Sequence, residues 1–478
     1  MNRVDLIAEI NRIGWSTPFA RHLIITCGMI FFTAGYVVSS GNLLPLALPT
    51  VYSSANYKNA EAAKISLCVG MLIGQLVFGV IGDLYGRRRA CNLTLMLILA
   101  GTLSSCVLGD GPGLRITTSL VIIRGLLGIG IGGTYPTAIL TVSEFAPTDQ
   151  RPTRLATIFL AYICGSFTAL SISAAALAGS NQIDSIWRLV IGLGLVPGIT
   201  ALGLCRLRRI PETPYYKADV ERDFVAANEI VDYALEKRKH LNRRDPVRYN
   251  GGILLWSRGL FRYMRKDFRT YVAICGAWFI VDAAAYGYRS DIRLRDINLN
   301  QNVGEQDIHS LLMQVSTSSV IRVSLGSILG ASATLIYFIY YSSRKAIMYF
   351  GFVASASLFV VFGFFSGQVG NIPYLTISTM VMFVQNFGPN ALTFIVAAEL
   401  WPTQYRSTSY GIAAASGRLG TITTYTIFTW FSVDGDKTLI GPLSLAILMM
   451  FGLGITRPID QESITTKYDR ARTVSAKM

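Results

Sequence analysis

EFAPTDQR, Glu144 to Arg151, returns in recognisable form as ELWPTQYR, Glu399 to Arg406. Glu144 and Glu399, Pro147 and Pro402, Thr148 and Thr403, and Arg151 and Arg406 are all separated by 255 positions. The same offset links Gly133 to Gly388 and Tyr135 to Asn390, further up the apolar stretch that precedes each copy. A glutamate, a Pro-Thr turn and an arginine able to meet that glutamate or a helix end form a compact polar knot. Written twice at one offset, it implies a chain built from two halves on one plan.

The surroundings say where those halves sit. The chain has 478 residues, 51% of them hydrophobic and only 15% charged, with a mean hydropathy of +0.44, well outside the range of a soluble domain. Crossing a hydrocarbon core takes about 20 apolar residues in a helix. Such runs lie near 22–48, 64–84, 89–109, 117–142, 154–178 and 187–205, then near 270–288, 314–341, 346–366, 372–398, 408–430 and 438–455. The fold class expected is an all-α polytopic membrane protein with twelve transmembrane helices in two six-helix halves. The division is a short N-terminus (1–21), a first half (22–205), a linker (206–269), a second half (270–455) and a tail (456–478).

The formal charge of +15 is concentrated. From Arg206 to Arg269 sixteen Lys and Arg face nine Asp and Glu, whereas 289–307 has no basic excess. Other basic clusters follow spans two, four and eight and fill the tail. All fall on one side, so the positive-inside bias places both termini and the linker in the cytoplasm. Basic residues that border spans read as topology signals, so nucleic acid is not an expected partner. The first 21 residues lack a short apolar core with a cleavage site. With no organelle signal either, the plasma membrane is the expected location. The seven cysteines are scattered singly in or beside spans, which implies neither disulfides nor a metal site. No nucleotide loop, activated nucleophile or ligand cluster suggests an enzyme or a cofactor; GIGIGG, Gly128 to Gly133, lies inside a span and suits close helix packing. Within the linker, Val220, Phe224, Ala227, Ile230, Val231 and Ala234 recur at helical spacing beside charges, predicting an amphipathic helix along the inner face in contact with anionic lipid.

Parallel six-helix repeats related by an axis along the membrane normal are the plan of major facilitator transporters, which bind substrate near the midplane between the halves. GVIGDLYGRRR, Gly79 to Arg89, resembles that superfamily's loop after span two, with Asp83 and Arg87 at the cytoplasmic face. The equivalent YYSSRKA keeps Arg344 and Lys345 but lacks the Gly and Asp, so a weaker lock is expected in the second half. GIGIGGTYPTAILTVSEFAPT, WRLVIGLGLVPG, RIPETPYYKADVERD, WFIVDAAAYG, NFGPNALTFIVAAELWPTQYRST and AAASGRLG are similar to the phosphate:proton symporter family, which includes inorganic phosphate and glycerophosphodiester transporters. That resemblance implies a small anionic substrate, a co-transported proton and a protein acting as a monomer in the lipid bilayer.

It also implies a site. Trp278, Asp282 and Tyr286 stand at i, i+4 and i+8 on one face of span seven and match the family's phosphate site. Asp282 is an acid deep in an apolar segment, where an ionised carboxylate needs a partner. Arg418 stands where the family has a membrane-embedded lysine, and can pair with Asp282 or grip an anion with its planar fork. Asn390 and Tyr135 complete the matching set, and Tyr162 replaces a glutamine. Gating and coupling fall to Asp83, Arg87, Glu144, Arg151, Glu399, Arg406, Asp282 and Arg124. Four departures bear on coupling: Ala34, Val37, Thr94 and Thr134 occupy positions where the family has acids, and none of these side chains titrates near neutral pH. Three mechanisms therefore fit: symport through Asp282 alone, uniport or exchange with Arg418 neutralised by the anion, and transport of another substrate such as an organic acid. A non-transporting solute sensor of the same fold is the reading from another class.

Overall fold

A computed structural model describes residues 3–53, 55–109, 115–238, 252–301, 308–341, 343–365, 371–430 and 440–456, with side chains of 252, 253, 291–301, 308, 371, 428–430 and 440 left aside. The tail at 457–478 lies outside the described residues. All regular structure among the described residues is helical. Ten helices have the length and apolarity of a membrane span: α1 (Pro18–Val51), α2 (Tyr57–Tyr85), α3 (Arg87–Val107), α4 (Ile116–Phe145), α5 (Arg151–Gly179), α6 (Ile183–Leu207), α7 (Phe268–Ser290), α8 (His309–Tyr340), α9 (Arg344–Phe365) and α10 (Ile372–Glu399). Two more complete the twelve, α11 (Arg406–Trp430) and α12 (Ile440–Ile455). Helix α11 is rich in Ser, Thr and Gly because it packs on α2 and α7 and so has little contact with lipid.

Glycine decides how close the helices come. In α2 and α4 a Cβ added at Gly70 would lie 2.0 Å from the Gly125 carbonyl oxygen, and one at Gly132 would lie 2.1 Å from that of Met71. The GIGIGG run therefore brings two backbones together, which a larger side chain would prevent. Across the halves, α2 packs on α11 and α5 packs on α8. Adding six to each label exchanges these two interfaces, which is the 255-residue repeat expressed as packing. The first is the tighter: a Cβ at Gly411 would meet the Gln75 carbonyl oxygen at 2.2 Å.

Two helices break where the site forms. Pro136 has no N–H to give, and α4 widens into a π-turn over Tyr135–Ile139. In α10 the break is at Gly388, with Pro389 opening the next turn.

Several sequence expectations need correction. Helix Phe224–Ala234 forms, but Ala227, Ile230, Val231 and Ala234 are buried in a protein core shared with Leu6 and Ile10, so its apolar stripe faces protein and not lipid. A second linker helix, Gly252–Lys266, instead exposes Leu254, Leu255 and Phe261. Arg289, assigned to the connection after span seven, lies inside a helix that continues to Gln301. Lys64, taken as the edge of span two, lies two turns inside α2.

Candidate functional site

Between the halves an inner cavity of about 40 Å³ is lined by Tyr135, Tyr162, Trp278, Asp282, Tyr286, Asn390 and Arg418, the whole predicted binding set, with Arg289 and an aromatic group beside them. Six helices contribute: α4 and α10 through their broken turns, α1 through Phe31, and α5, α7 and α11. At its centre Arg418 Nη2 lies 2.8 Å from Asp282 Oδ2, both buried. Arg418 Nη1 also donates to the Tyr286 hydroxyl at 3.0 Å. Asn390 donates to Asn386 Oδ1 at 2.9 Å. Toward the end of the bundle where α1 begins, Phe31, Phe159, Phe394 and Tyr135 pack tilted or edge to face with centroids 5.4–6.1 Å apart, and Tyr410 joins Phe394 and Trp278. This aromatic layer is a floor under the cavity that sequence reading missed. Phe394 and Tyr410 flank the repeated segment, and only three-dimensional placement marks them out from ordinary core aromatics.

Below that floor lies the polar knot. Glu144 Oε1 is 3.2 Å from Arg87 Nη2 and 3.3 Å from Arg406 Nη1, with all three side chains buried. Thr213, from the PETP turn after α6, donates its hydroxyl to Glu144 Oε2. Asp83 accepts the backbone N–H of Ser407 at 3.0 Å and of Thr408 at 2.8 Å, capping the first turn of α11 from the opposite half. Arg87 binds back to Asp83 at 3.3 Å and donates to the Thr403 carbonyl at 2.8 Å. In the second half Arg344 donates to both carboxylate oxygens of Glu399, at 2.6 and 2.9 Å. Arg151 donates to the Ser143 carbonyl at 2.9 Å and does not reach Glu144. Glu212 accepts the N–H groups of Arg87 at 3.0 Å and Arg88 at 3.2 Å. Burial pushes the Glu212 carboxyl above the usual range, against the pull of Arg87 and these N–H bonds.

Ala34, Val37, Thr94 and Thr134 are all buried, and the two threonine hydroxyls donate to carbonyls on their own helices at 2.7 Å. Arg124 is buried on α4 against Gly41, none of its guanidinium nitrogens hydrogen-bonded, and it lines neither central cavity. The structure therefore brings together Asp282 and Arg418, and separately Asp83, Arg87, Glu144 and Arg406, and leaves Arg124 apart from both groups.

Two six-helix halves, a buried charge pair in a central cavity and charged latches at one end of the bundle define a membrane transporter of the major facilitator fold. The chain belongs to the sugar (and other) transporter family, whose model matches residues 30–456. Among its relatives, a repressible high-affinity phosphate permease of Neurospora crassa is 31% identical over 87% of this chain and 78% of its own. The inorganic phosphate transporter PHO84 of Saccharomyces cerevisiae is 30% identical over 83% and 73%. Among solved structures, the proton:xylose symporter XylE superposes with a TM-score of 0.68 at 15% identity over 96% of each chain.

Proposed function

We propose that the protein is a phosphate transporter of the plasma membrane, both termini cytoplasmic, which moves inorganic phosphate inward and couples it to protons through Asp282. The carrying observation is the buried Asp282–Arg418 pair at 2.8 Å in a cavity with Trp278, Tyr286, Asn390 and two further tyrosines; the phosphate permease relatives support the substrate. An ion pair in a low-dielectric site is stable only while both partners are charged and together. Phosphate entering the cavity competes with Asp282 for the Arg418 fork, which holds an oxyanion in two-point contact. Once displaced, the Asp282 carboxylate is a lone buried charge, and it is relieved by taking a proton. Anion and proton binding then favour each other without any of the acids that Ala34, Val37, Thr94 and Thr134 replace. Tyr135, Tyr162 and Asn390 offer neutral hydrogen bonds to the remaining oxygens.

The test is uptake of labelled phosphate into proteoliposomes with and without an imposed proton gradient, comparing wild type with Asp282→Asn. Uptake should follow the gradient in the wild type and lose that dependence in the variant. Phosphate exchange indifferent to the gradient in the wild type would overturn proton coupling and leave facilitated or exchange transport; transport of an organic acid in place of phosphate would overturn the substrate.

A further inference from the structure

We propose that a second anion-binding station, with Lys64 and Arg289 as its cations, lies outward of the Asp282–Arg418 pair and receives phosphate before the inner site does. It rests on the phosphate reading above. A second cavity of about 80 Å³ adjoins the first, and the two share Tyr162, Ile163, Tyr286, Arg289 and Arg418. One water requires about 10–15 Å³ on this measure, so the outer chamber has room for a small tetrahedral oxyanion with some of its water. Its level follows from helix rise: Lys64 lies about 28 Å along α2 from Asp83 at the cytoplasmic end, and Arg289 lies about 10 Å further out along α7 than Asp282.

The charges of the two chambers do not balance. Asp282 is matched to Arg418 at 2.8 Å and Glu61 to Lys64 at 2.9 Å. Arg289 lines both chambers, has no ion-pair partner among the described residues, and stacks its guanidinium 5.3 Å from the Tyr286 ring centroid. The same ring stands 5.3 Å from Arg418, so both guanidiniums pack against Tyr286. The acid Arg289 acts on is Asp282, which is already paired with Arg418, and a surplus cation inside a membrane protein is costly; the usual reason for its presence is an anion that passes. Neutral donors are also ready. Ser324 is buried on α8, lines the outer chamber and has no hydrogen-bond partner for its hydroxyl. Lys64 sits over Tyr425 at 4.9 Å, held in the chamber wall. A phosphate held by Lys64, Arg289 and Ser324 already touches Arg289, which with Arg418 lines both chambers, so transfer inward gives up Lys64 while Arg289 stays engaged.

The test is equilibrium binding of radiolabelled inorganic phosphate to the full-length protein in detergent. Asp282→Asn/Arg418→Gln removes the inner pair without a change in net charge. That variant should still bind phosphate, and binding should weaken by about tenfold or more, the scale of one charge-assisted hydrogen bond, when Arg289→Gln or the charge-balanced Glu61→Gln/Lys64→Gln is added. Arg289→Lys should restore much of it, which shows that the lost binding is not lost folding. Absence of phosphate binding in the inner-pair variant, or binding indifferent to the outer substitutions, overturns the station. A wild type that binds no phosphate overturns the phosphate reading itself, a result visible in that arm alone.

Discussion

The two copies of the Glu-Pro-Thr-Arg segment share a sequence and a place in the fold but not their wiring. Glu144 joins the halves: it meets Arg87 from its own half and Arg406 from the other, and all three side chains are buried. Glu399 braces one half, held by Arg344, whose side chain is 24% exposed. Arg151 and Arg406 each donate to a carbonyl near the end of their own preceding helix, at 2.9 and 2.8 Å; only Arg406 also crosses to the opposite half. The reason lies in the flanking loops. Asp83 in the last turn of α2 and Arg87 at the start of α3 are present in the first half, while YYSSRKA has neither the acid nor the glycines. Repetition thus gives the two ends equivalent backbones, and a handful of loop residues makes one a latch between halves and the other a strut within one. Opening the cavity at this end must break the latch and can leave the strut intact.

The largest effect should come from Glu144→Gln. It leaves Arg87 and Arg406 buried against a neutral amide, and breaking a buried charge network by removing one member costs about 3–5 kcal/mol. Thermal unfolding in detergent should show a large drop in midpoint, and a cysteine reporter under the aromatic floor should become reactive from the side of the polar knot. Glu399→Gln should cost about 1 kcal/mol, since Arg344 can turn toward water. Equal losses in the two variants would erase the distinction between latch and strut. Next is Asp83→Asn, which keeps one acceptor for Ser407 or Thr408 but loses the charge at the α11 N-terminus; an effect of about 1–2 kcal/mol on the closed state is expected. It should appear as slower phosphate turnover with equilibrium binding largely kept. Arg406→Ala should likewise slow turnover more than Arg151→Ala does, both with phosphate affinity within about twofold of wild type. A larger loss of affinity than of turnover would move these arginines from the gate to the site.

How much of this was legible in the sequence depends on the kind of signal. Twelve apolar runs and one offset carried the architecture, because membrane thickness fixes helix length and repetition fixes symmetry. The inner cavity was legible through Asp282, whose cost in lipid demands a partner, and Arg418 is that partner at 2.8 Å. Lys64 and Arg289 were not, because a charge near the end of an apolar run resembles a boundary residue until the helix is seen to continue past it. Which glutamate takes Arg406 was equally hidden: the repeat suggests a bond to Glu399 or a neighbour, and only the approach of α2 to α11 brings Glu144 within reach. Arg124 shows the reverse case. The resemblance gave it a coupling role, yet with Ala34 and Val37 in place of acids it stands buried without hydrogen bonds.

The smallest expected effect separates the latch from the strut by pH. Glu212 belongs only to the first half's knot, where it accepts the N–H groups that open α3. Burial raises its carboxyl above the ordinary value of 4.5. A carboxyl whose pKa is raised in the closed fold holds its proton more tightly there than when solvated, so the contribution it makes is complete below 4.5 and is lost as pH rises through the raised value. Stability of the closed transporter should therefore decline modestly as pH climbs out of the acid range, and Glu212→Gln, which stays neutral, should flatten that decline while Glu399→Gln leaves it in place. A decline that persists unchanged in Glu212→Gln would assign the pH response to another group and leave the latch insensitive to pH.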